Sequence, residues 1–298
     1  MKRPLPLLDP VTVAAIEGLE LRARHIVQGY VAGHHPAPTR GFSTEFAEHR
    51  RYVRGDDPRY LDWKVYGRTR RHYLKQFHDE ADLTCFLLVD ASQSMAFRGQ
   101  VAAMSKFEYT QSLAAALCYL ILRQRDRVGL AVCDQRIREL LRPSSTQAQL
   151  AAVLETLQRT AAAGESDMGA VLHEMAGRVR KRALFIVVGD LLDDVARLLD
   201  AVGHLTHRRH EVVVMHVLDP DELDLPYDGP MLFRGMERLP DVETDPPRIR
   251  RAYRQEVRRY LHEVRAGCRD RQVDYALLPT NGSFATALRS YLSRRRNA

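Results

Sequence analysis

Leu83-Thr84-Cys85-Phe86-Leu87-Leu88-Val89-Asp90 is a near-continuous apolar run that ends in a carboxylate, and Ala91-Ser92-Gln93-Ser94-Met95 follows it directly. A run of this kind, without polar alternation, is the pattern of a strand buried on both faces, as in a parallel sheet. The pattern returns at Ala183-Leu184-Phe185-Ile186-Val187-Val188-Gly189-Asp190, again ending in aspartate. Residues 128–133, 211–218 and 273–278 read as further strands, with 137–141 returning antiparallel to the first of them. Helical spacing fills the intervals. Ser105 and Glu108 stand at capping-box spacing and open a helix through about Gln124. Leu150, Val153, Leu154 and Leu157 mark a second helix, and shorter ones follow Asp167 and cover 195–205. Ile249, Tyr253, Val257, Tyr260, Leu261 and Val264 mark a long helix, and Phe284, Leu288, Tyr291 and Leu292 a last one; 219–247 reads as loop. Strands alternating with helices after residue 80 predict a three-layer α/β domain with a mostly parallel sheet and helices on both faces.

Upstream of that domain the composition changes. Asp9-Pro10 has the cap-then-proline form of a helix start and predicts one helix to about Tyr30, ended by the Gly/His/Pro stretch 33–41. A block dense in Arg, Asp and aromatics follows at 46–75, where Asp57-Pro58 again predicts a short helix. The expected organisation is therefore an N-terminal helix and appendage over residues 1–79 and the α/β domain over residues 80–298.

The chain has 298 residues, 45% of them hydrophobic and 28% charged, which suits a folded α/β domain with a small appendage. Cys85, Cys118, Cys133 and Cys268 form no CxxC or Cys/His pattern and read as reduced, buried thiols of a cytoplasmic protein. The segment Met1–Pro10 lacks the apolar core of a signal peptide. The longest apolar run, Leu113–Leu122, is about half of the ~20 residues that a spanning helix needs, so no integral membrane segment is expected. The net charge of +7 raises the question of nucleic acid, but the arginines are interspersed with acids, as with Glu256, Glu263 and Asp270 in the long helix. A solvated basic face, open to an acidic protein partner, accounts for that pattern.

The two strand-end aspartates carry the chemistry. In a parallel sheet the carboxyl ends of the strands share one edge, so Asp90 and Asp190 face one crevice. Neighbouring carboxylates repel unless a cation lies between them. Ser92 and Ser94 add hydroxyls, and hydroxyl with carboxylate is a hard oxygen set suited to Mg2+, Mn2+ or Ca2+ rather than Zn2+. The competing reading is that the serines cap the following segment and Asp190 caps a helix.

Asp90-Ala91-Ser92-Gln93-Ser94 resembles the DxSxS core of the metal-ion-dependent adhesion site (MIDAS) of von Willebrand factor A domains. That resemblance implies two more ligands: Ser166, in Gly164-Glu165-Ser166-Asp167-Met168 where the family usually has threonine, and Asp190 at the end of a later strand. It also implies an open coordination position that a partner's Glu or Asp fills.

A second resemblance covers nearly the whole chain. Gly55-Asp56-Asp57-Pro58-Arg59-Tyr60-Leu61-Asp62-Trp63 is similar to the GDDxRxxDW signature of the bacterial domain-of-unknown-function-58 family, in which it precedes a von Willebrand factor A domain. Relatives are encoded beside MoxR-type AAA+ ATPases, so the resemblance implies a metal-dependent adaptor or chaperone-like factor that binds such an ATPase, or its client, through an acidic side chain. Within the signature, Arg54, Arg59 and Arg68 have the chemistry to pair with Asp56, Asp62 or Glu48, Asp57 to cap a helix, and Trp63 to anchor the block. A structural ion-pair network and a second interaction site are both open for this set.

The chain contains no GxxxxGK[ST] and no GxGxxG, which argues against ATP hydrolysis or dinucleotide binding, and none of its His-Glu pairs forms HExxH. The expected protein is not an enzyme. A metal-dependent phosphoester hydrolase and a basic-surface nucleic-acid binder are the alternatives. The first lacks an evident nucleophile or base, and the second lacks an aromatic-basic platform.

Overall fold

The computed structural model describes residues 9–33, 46–51, 63–70, 73–77 and 83–295. Two compact units are present, Met1–His34 with Leu83–Ala298, and His35–Asp82. At the N-terminus, α1 (Pro10–Ala14) and α2 (Leu19–Gly33) replace the single helix expected from Asp9 to Tyr30. The break falls at Gly18, whose φ of +84° is left-handed and incompatible with helix continuation. Arg22 closes the open end of α1 by donating to the carbonyls of Ile16 (2.8 Å) and Ala14 (3.1 Å).

The sequence assigns this segment to the appendage; the structure corrects that boundary. Val13, Leu19, Ala23, Ile26 and Val27 are buried in the core of the α/β unit, so their apolar stripe is satisfied there. The smaller unit begins after them. It holds an antiparallel pair, β1 (Phe46–Arg51) with β2 (Tyr73–Phe77), and the helix α3 (Trp63–Thr69) between the two in sequence. The helix start expected at Asp57-Pro58 lies outside the described residues.

The larger unit continues with β3 (Thr84–Asp90), a 3-10 turn (Gln93–Ala96), α4 (Lys106–Arg123), β4 (Arg127–Cys133), β5 (Ile137–Ser144), α5 (Gln147–Arg159), α6 (Met168–Arg178) and β6 (Leu184–Gly189). After these come α7 (Val195–His207), β7 (Glu211–Leu218), α8 (Pro220–Asp224), β8 (Met231–Phe233), β9 (Val242–Thr244), α9 (Pro246–Asp270), β10 (Asp274–Pro279) and α10 (Ala285–Arg295). Six strands form one sheet in the order β10-β7-β6-β3-β4-β5. All pair in parallel except β5, which returns antiparallel along β4 at one edge. This is the expected three-layer α/β architecture, a mostly parallel sheet with helices on both faces. Within the stretch expected to be loop, α8 and the β8–β9 hairpin are ordered elements.

Side chains alternate across the central strand as the two-residue period requires. Cys85, Leu87 and Val89 of β3 enter a core layer with α2, α4, α5 and α10, while Phe86 and Leu88 enter the layer under α6, α7 and α9. Between α2 and the sheet, α4 is buried along almost its whole length, consistent with its run of Leu, Ala and Ile. Its capping box is complete: Glu108 N–H donates to Ser105 Oγ (3.1 Å) and Ser105 N–H to Glu108 Oε2 (2.8 Å). All four cysteines are free and buried. Among the described residues no helix is long and apolar enough to cross a membrane.

Candidate functional site

From β3 the chain moves outward through β4 to β5 and then returns to β6 on the other side of β3. Loops leaving β3 and β6 therefore diverge, and the crevice between them lies at the carboxyl edge of the sheet. Asp90 and Asp190 end these two adjacent strands, and both are fully buried. The strands meet closely here. A Cβ on Gly189 would sit 2.6 Å from Cβ of Asp90, so only glycine fits at the residue before Asp190.

Backbone bonds fix the loops around Asp90. Ala91 N–H donates to Cys133 O (2.7 Å), Gln93 N–H to Gly164 O (2.8 Å) and Ala163 N–H to Ala91 O (2.8 Å), which ties residues 91–94 to the loop bearing Ser166. Arg138 reinforces the junction by donating to the carbonyls of Ala91 and Ala161, each at 3.1 Å. Ser92 N–H donates to Asp90 Oδ1 (2.8 Å), and the hydroxyls of Ser92 and Ser94 lie 3.0 Å apart. Ser166 Oγ is 3.4 Å from Asp90 Oδ2 and 3.2 Å from Asp193 Oδ2. A serine hydroxyl has one proton, so it serves only one of these carboxylates at a time. Asp193 also accepts Met168 N–H (2.9 Å). Asp90, Ser92, Ser94 and Ser166 are thus brought together as one oxygen cluster.

The capping alternative does not describe these residues. Ser92 begins the 3-10 turn without a side-chain cap bond. Helix α7 is capped by Asp194, which accepts Arg197 N–H (3.1 Å), and not by Asp190.

Asp190 is differently engaged. Its Oδ2 accepts the ammonium of Lys106 at 2.8 Å, and its Oδ1 accepts Leu192 N–H at 3.3 Å. Lys106 Nζ also donates to Glu222 Oε1 at 2.6 Å. Burial works against the lysine's charge, but the two carboxylates outweigh it and hold its pKa above the ordinary value. Burial in turn pushes the Glu222 carboxyl up, and Lys106 only partly offsets that.

Asp90 receives no such help. Among the described residues no ammonium or guanidinium bonds to it; burial and then the neighbouring Asp190 push its carboxyl well above the usual range. Asp193 is raised as well, chiefly by burial. Among the described residues no three His, Cys, Asp or Glu side chains are grouped to hold an ion. A cation here would rest on serine hydroxyls together with Asp90, and that donor set fits a hard divalent ion. The fifth expected ligand, Asp190, offers it only the oxygens that Lys106 and Leu192 already use.

The sequence reading missed four acidic or basic residues at this site. Lys106 carried a signal, since a lysine in the first turn of a helix opposes the helix dipole and wants a nearby anion. Asp193 carried a weaker one, being the second carboxylate in Asp190-Leu191-Leu192-Asp193-Asp194. Glu222 lies in the α8 capping box, where its Oε2 accepts Asp219 N–H (2.8 Å). Glu237 had no signal, yet its Oε1 accepts Ser94 N–H (3.0 Å) and its Oε2 accepts Ser166 N–H (3.1 Å).

The second set of expected residues belongs to the smaller unit. Arg54, Asp56, Asp57, Arg59 and Asp62 lie outside the described residues. Trp63 opens α3, and Arg68 is an exposed residue of its last turn.

A profile of the family described as protein of unknown function DUF58 matches residues 48–263. An uncharacterized protein of Mycobacterium bovis and one of Mycobacterium tuberculosis are each 27% identical over 304 aligned positions, covering 97% of this chain and 92% of theirs. Among solved structures, the conserved hypothetical protein BatB from Bacteroides thetaiotaomicron superposes with a TM-score of 0.51 at 16% identity, over 72% of this chain and 100% of that one. That likeness concerns the fold.

Proposed function

The chain belongs to the DUF58 family of proteins of unknown function, and from that premise we propose that it is a non-enzymatic protein-interaction module. Its site takes a divalent cation, Mg2+ or else Mn2+ or Ca2+, on the oxygens of Asp90, Ser92, Ser94 and Ser166, with Asp190, the residue after β6, as a fifth ligand through an oxygen shared with Lys106 or Leu192. The cation supplies a Lewis-acidic position for a carboxylate presented by another protein. The proposed partner is a MoxR-type AAA+ ATPase or its client.

One observation carries the reading: Asp90 is fully buried, has no cationic partner among the described residues, and lies among three serine hydroxyls from two loops. An unpaired buried carboxylate is costly, and proteins retain such groups chiefly where function needs them.

The test is retention of partner proteins from a lysate of the source cells on immobilised full-length chain, in Mg2+ and in EDTA, for wild type and Asp90→Ala. The expected result is an acidic partner retained only by wild type in Mg2+. Equal retention under all four conditions would sink the reading.

A further inference from the structure

Glu237 stands at the tip of the β8–β9 hairpin, 143 residues after Ser94 in sequence, and its carboxylate bridges the two ligand loops of the oxygen cluster. One oxygen takes the N–H of Ser94 and the other takes the N–H of Ser166. These are the residues whose hydroxyls belong to the cluster. A carboxylate is thus already seated, with both oxygens engaged, between the loops that would hold a cation.

The hairpin is shaped to deliver it. Glu237 and Arg238 both adopt left-handed backbone conformations, with φ of +54° and +61°, which non-glycine residues seldom do. The tip is closed by Leu239 N–H donating to Met236 O (3.0 Å) and by Gly235 N–H donating to Asp241 Oδ1 (2.8 Å). Glu237 N–H reaches Gln93 Oε1 (3.4 Å), and Arg238 pairs with Glu165 (2.9 Å), so the tip touches both loops a second time. The support behind the tip is slight. The two strands have three residues each; Leu232 and Val242 on them are 56% and 52% exposed, and Leu239 in the turn between them is 68% exposed.

We propose that Glu237 is an internal ligand of the site: the chain seats its own carboxylate in the position offered to a partner, and the partner must displace the hairpin tip to bind. This rests on the metal-dependent reading given above and specifies how that site is regulated. Each loop is met by one carboxylate oxygen, so the side chain lies where the two loops converge on the cluster.

Mn2+ reports on this directly, because the relaxation of water protons counts the exchangeable waters on the ion. Full-length wild type, Glu237→Ala, Glu237→Gln and Asp90→Ala are each titrated with Mn2+ by calorimetry, and the water-proton relaxivity of the loaded protein is measured before and after adding acetate. In wild type the expected relaxivity is low and insensitive to acetate. In Glu237→Ala it rises by the contribution of about one more water, and acetate reverses the rise. Glu237→Gln keeps the side-chain volume but has one neutral acceptor oxygen in place of two charged ones, so it is the weaker ligand, shows part of the rise, and serves if the alanine variant folds poorly. If Mn2+ binds in an Asp90-dependent way but relaxivity and acetate response are equal in wild type and both Glu237 variants, Glu237 is not a ligand and the internal-ligand proposal is overturned. If neither wild type nor Glu237→Ala binds Mn2+ in an Asp90-dependent way, the metal reading itself fails and this proposal fails with it.

Discussion

Lys106 and Asp190 form a fully buried ion pair, 2.8 Å from Nζ to Oδ2, that joins the first turn of α4 to the residue after β6. It separates the two strand-end aspartates by role. Asp190 has a cation from the protein, and Asp90, one strand away, has none among the described residues.

Breaking this pair from one side leaves a buried charge without a partner. Lys106→Met is expected to cost about 3–5 kcal/mol, whereas Lys106→Met combined with Asp190→Leu costs less, because only the partly exposed Glu222 then lacks its cation. Urea denaturation of the two variants checks the order. A double variant less stable than the single one contradicts it.

Asp90 is expected to oppose stability when no cation is bound. Its folded-state pKa is raised from 3.8 to about 8, so between these values the folded protein holds a proton that the unfolded chain has lost. Stability in EDTA therefore falls as pH rises from about 4 to 8. Asp90→Asn removes this slope and raises stability in EDTA at pH 8. Wild type at 100 times the dissociation constant of Mg2+ gains about 2.7 kcal/mol, and Asp90→Asn gains nothing. Thermal melts across pH, with and without Mg2+, read all three effects.

His216 gives a slope of opposite sign. Burial lowers its pKa from 6.5 to about 4, against the opposing pull of Asp190, so the unfolded chain binds the proton first as pH falls. The stability it contributes is complete above pH 6.5 and is lost as pH falls from 6.5 to 4, by about 3 kcal/mol. In denaturant titrations in EDTA, His216→Gln should remove this acid loss, so that between pH 4 and 6.5 the opposite slope due to Asp90 is left unopposed. An unchanged acid limb would assign it to other groups.

Gly189→Ala places a methyl group 2.6 Å from Cβ of Asp90. Both atoms belong to paired central strands, so neither can move freely. A loss of about 1–3 kcal/mol is expected, in the range of overpacked cores. Wild-type stability for this variant, measured by chemical denaturation, would mean that the strand ends separate without cost.

Most of the α/β architecture was legible because its signals are local. Buried strands such as 184–189 are uninterrupted apolar runs, and the Ser105/Glu108 cap is a three-residue spacing. The oxygen cluster was legible for the same reason at Asp90, Ser92 and Ser94, whose convergence follows from one turn. Glu237 was not, since nothing in residues 231–244 marks a tip that reaches back to Ser94 and Ser166. The left-handed conformations at Glu237 and Arg238 come from tertiary bonds and not from their residue types. The break at Gly18 was visible only as a single glycine inside an apolar period, where a helix tolerates one at modest cost. The N-terminal stripe was read as amphipathic, but a stripe does not name the surface that covers it; here that surface is α4.

The position of β3 in the middle of the sheet sets an order of events during synthesis. Its partner β4 follows within some forty residues, but β6 reaches its other edge only about a hundred residues later, and the hairpin bearing Glu237 later still. Contacts this distant in sequence form slowly, because long loops must close before they are rewarded. A nascent chain released early would expose one edge of β3, with Asp90 in place but Asp190 and Glu237 missing. On the proposed function, competence to bind would therefore be a late property of the chain, and a partner gripping this crevice would distinguish finished molecules from unfinished ones.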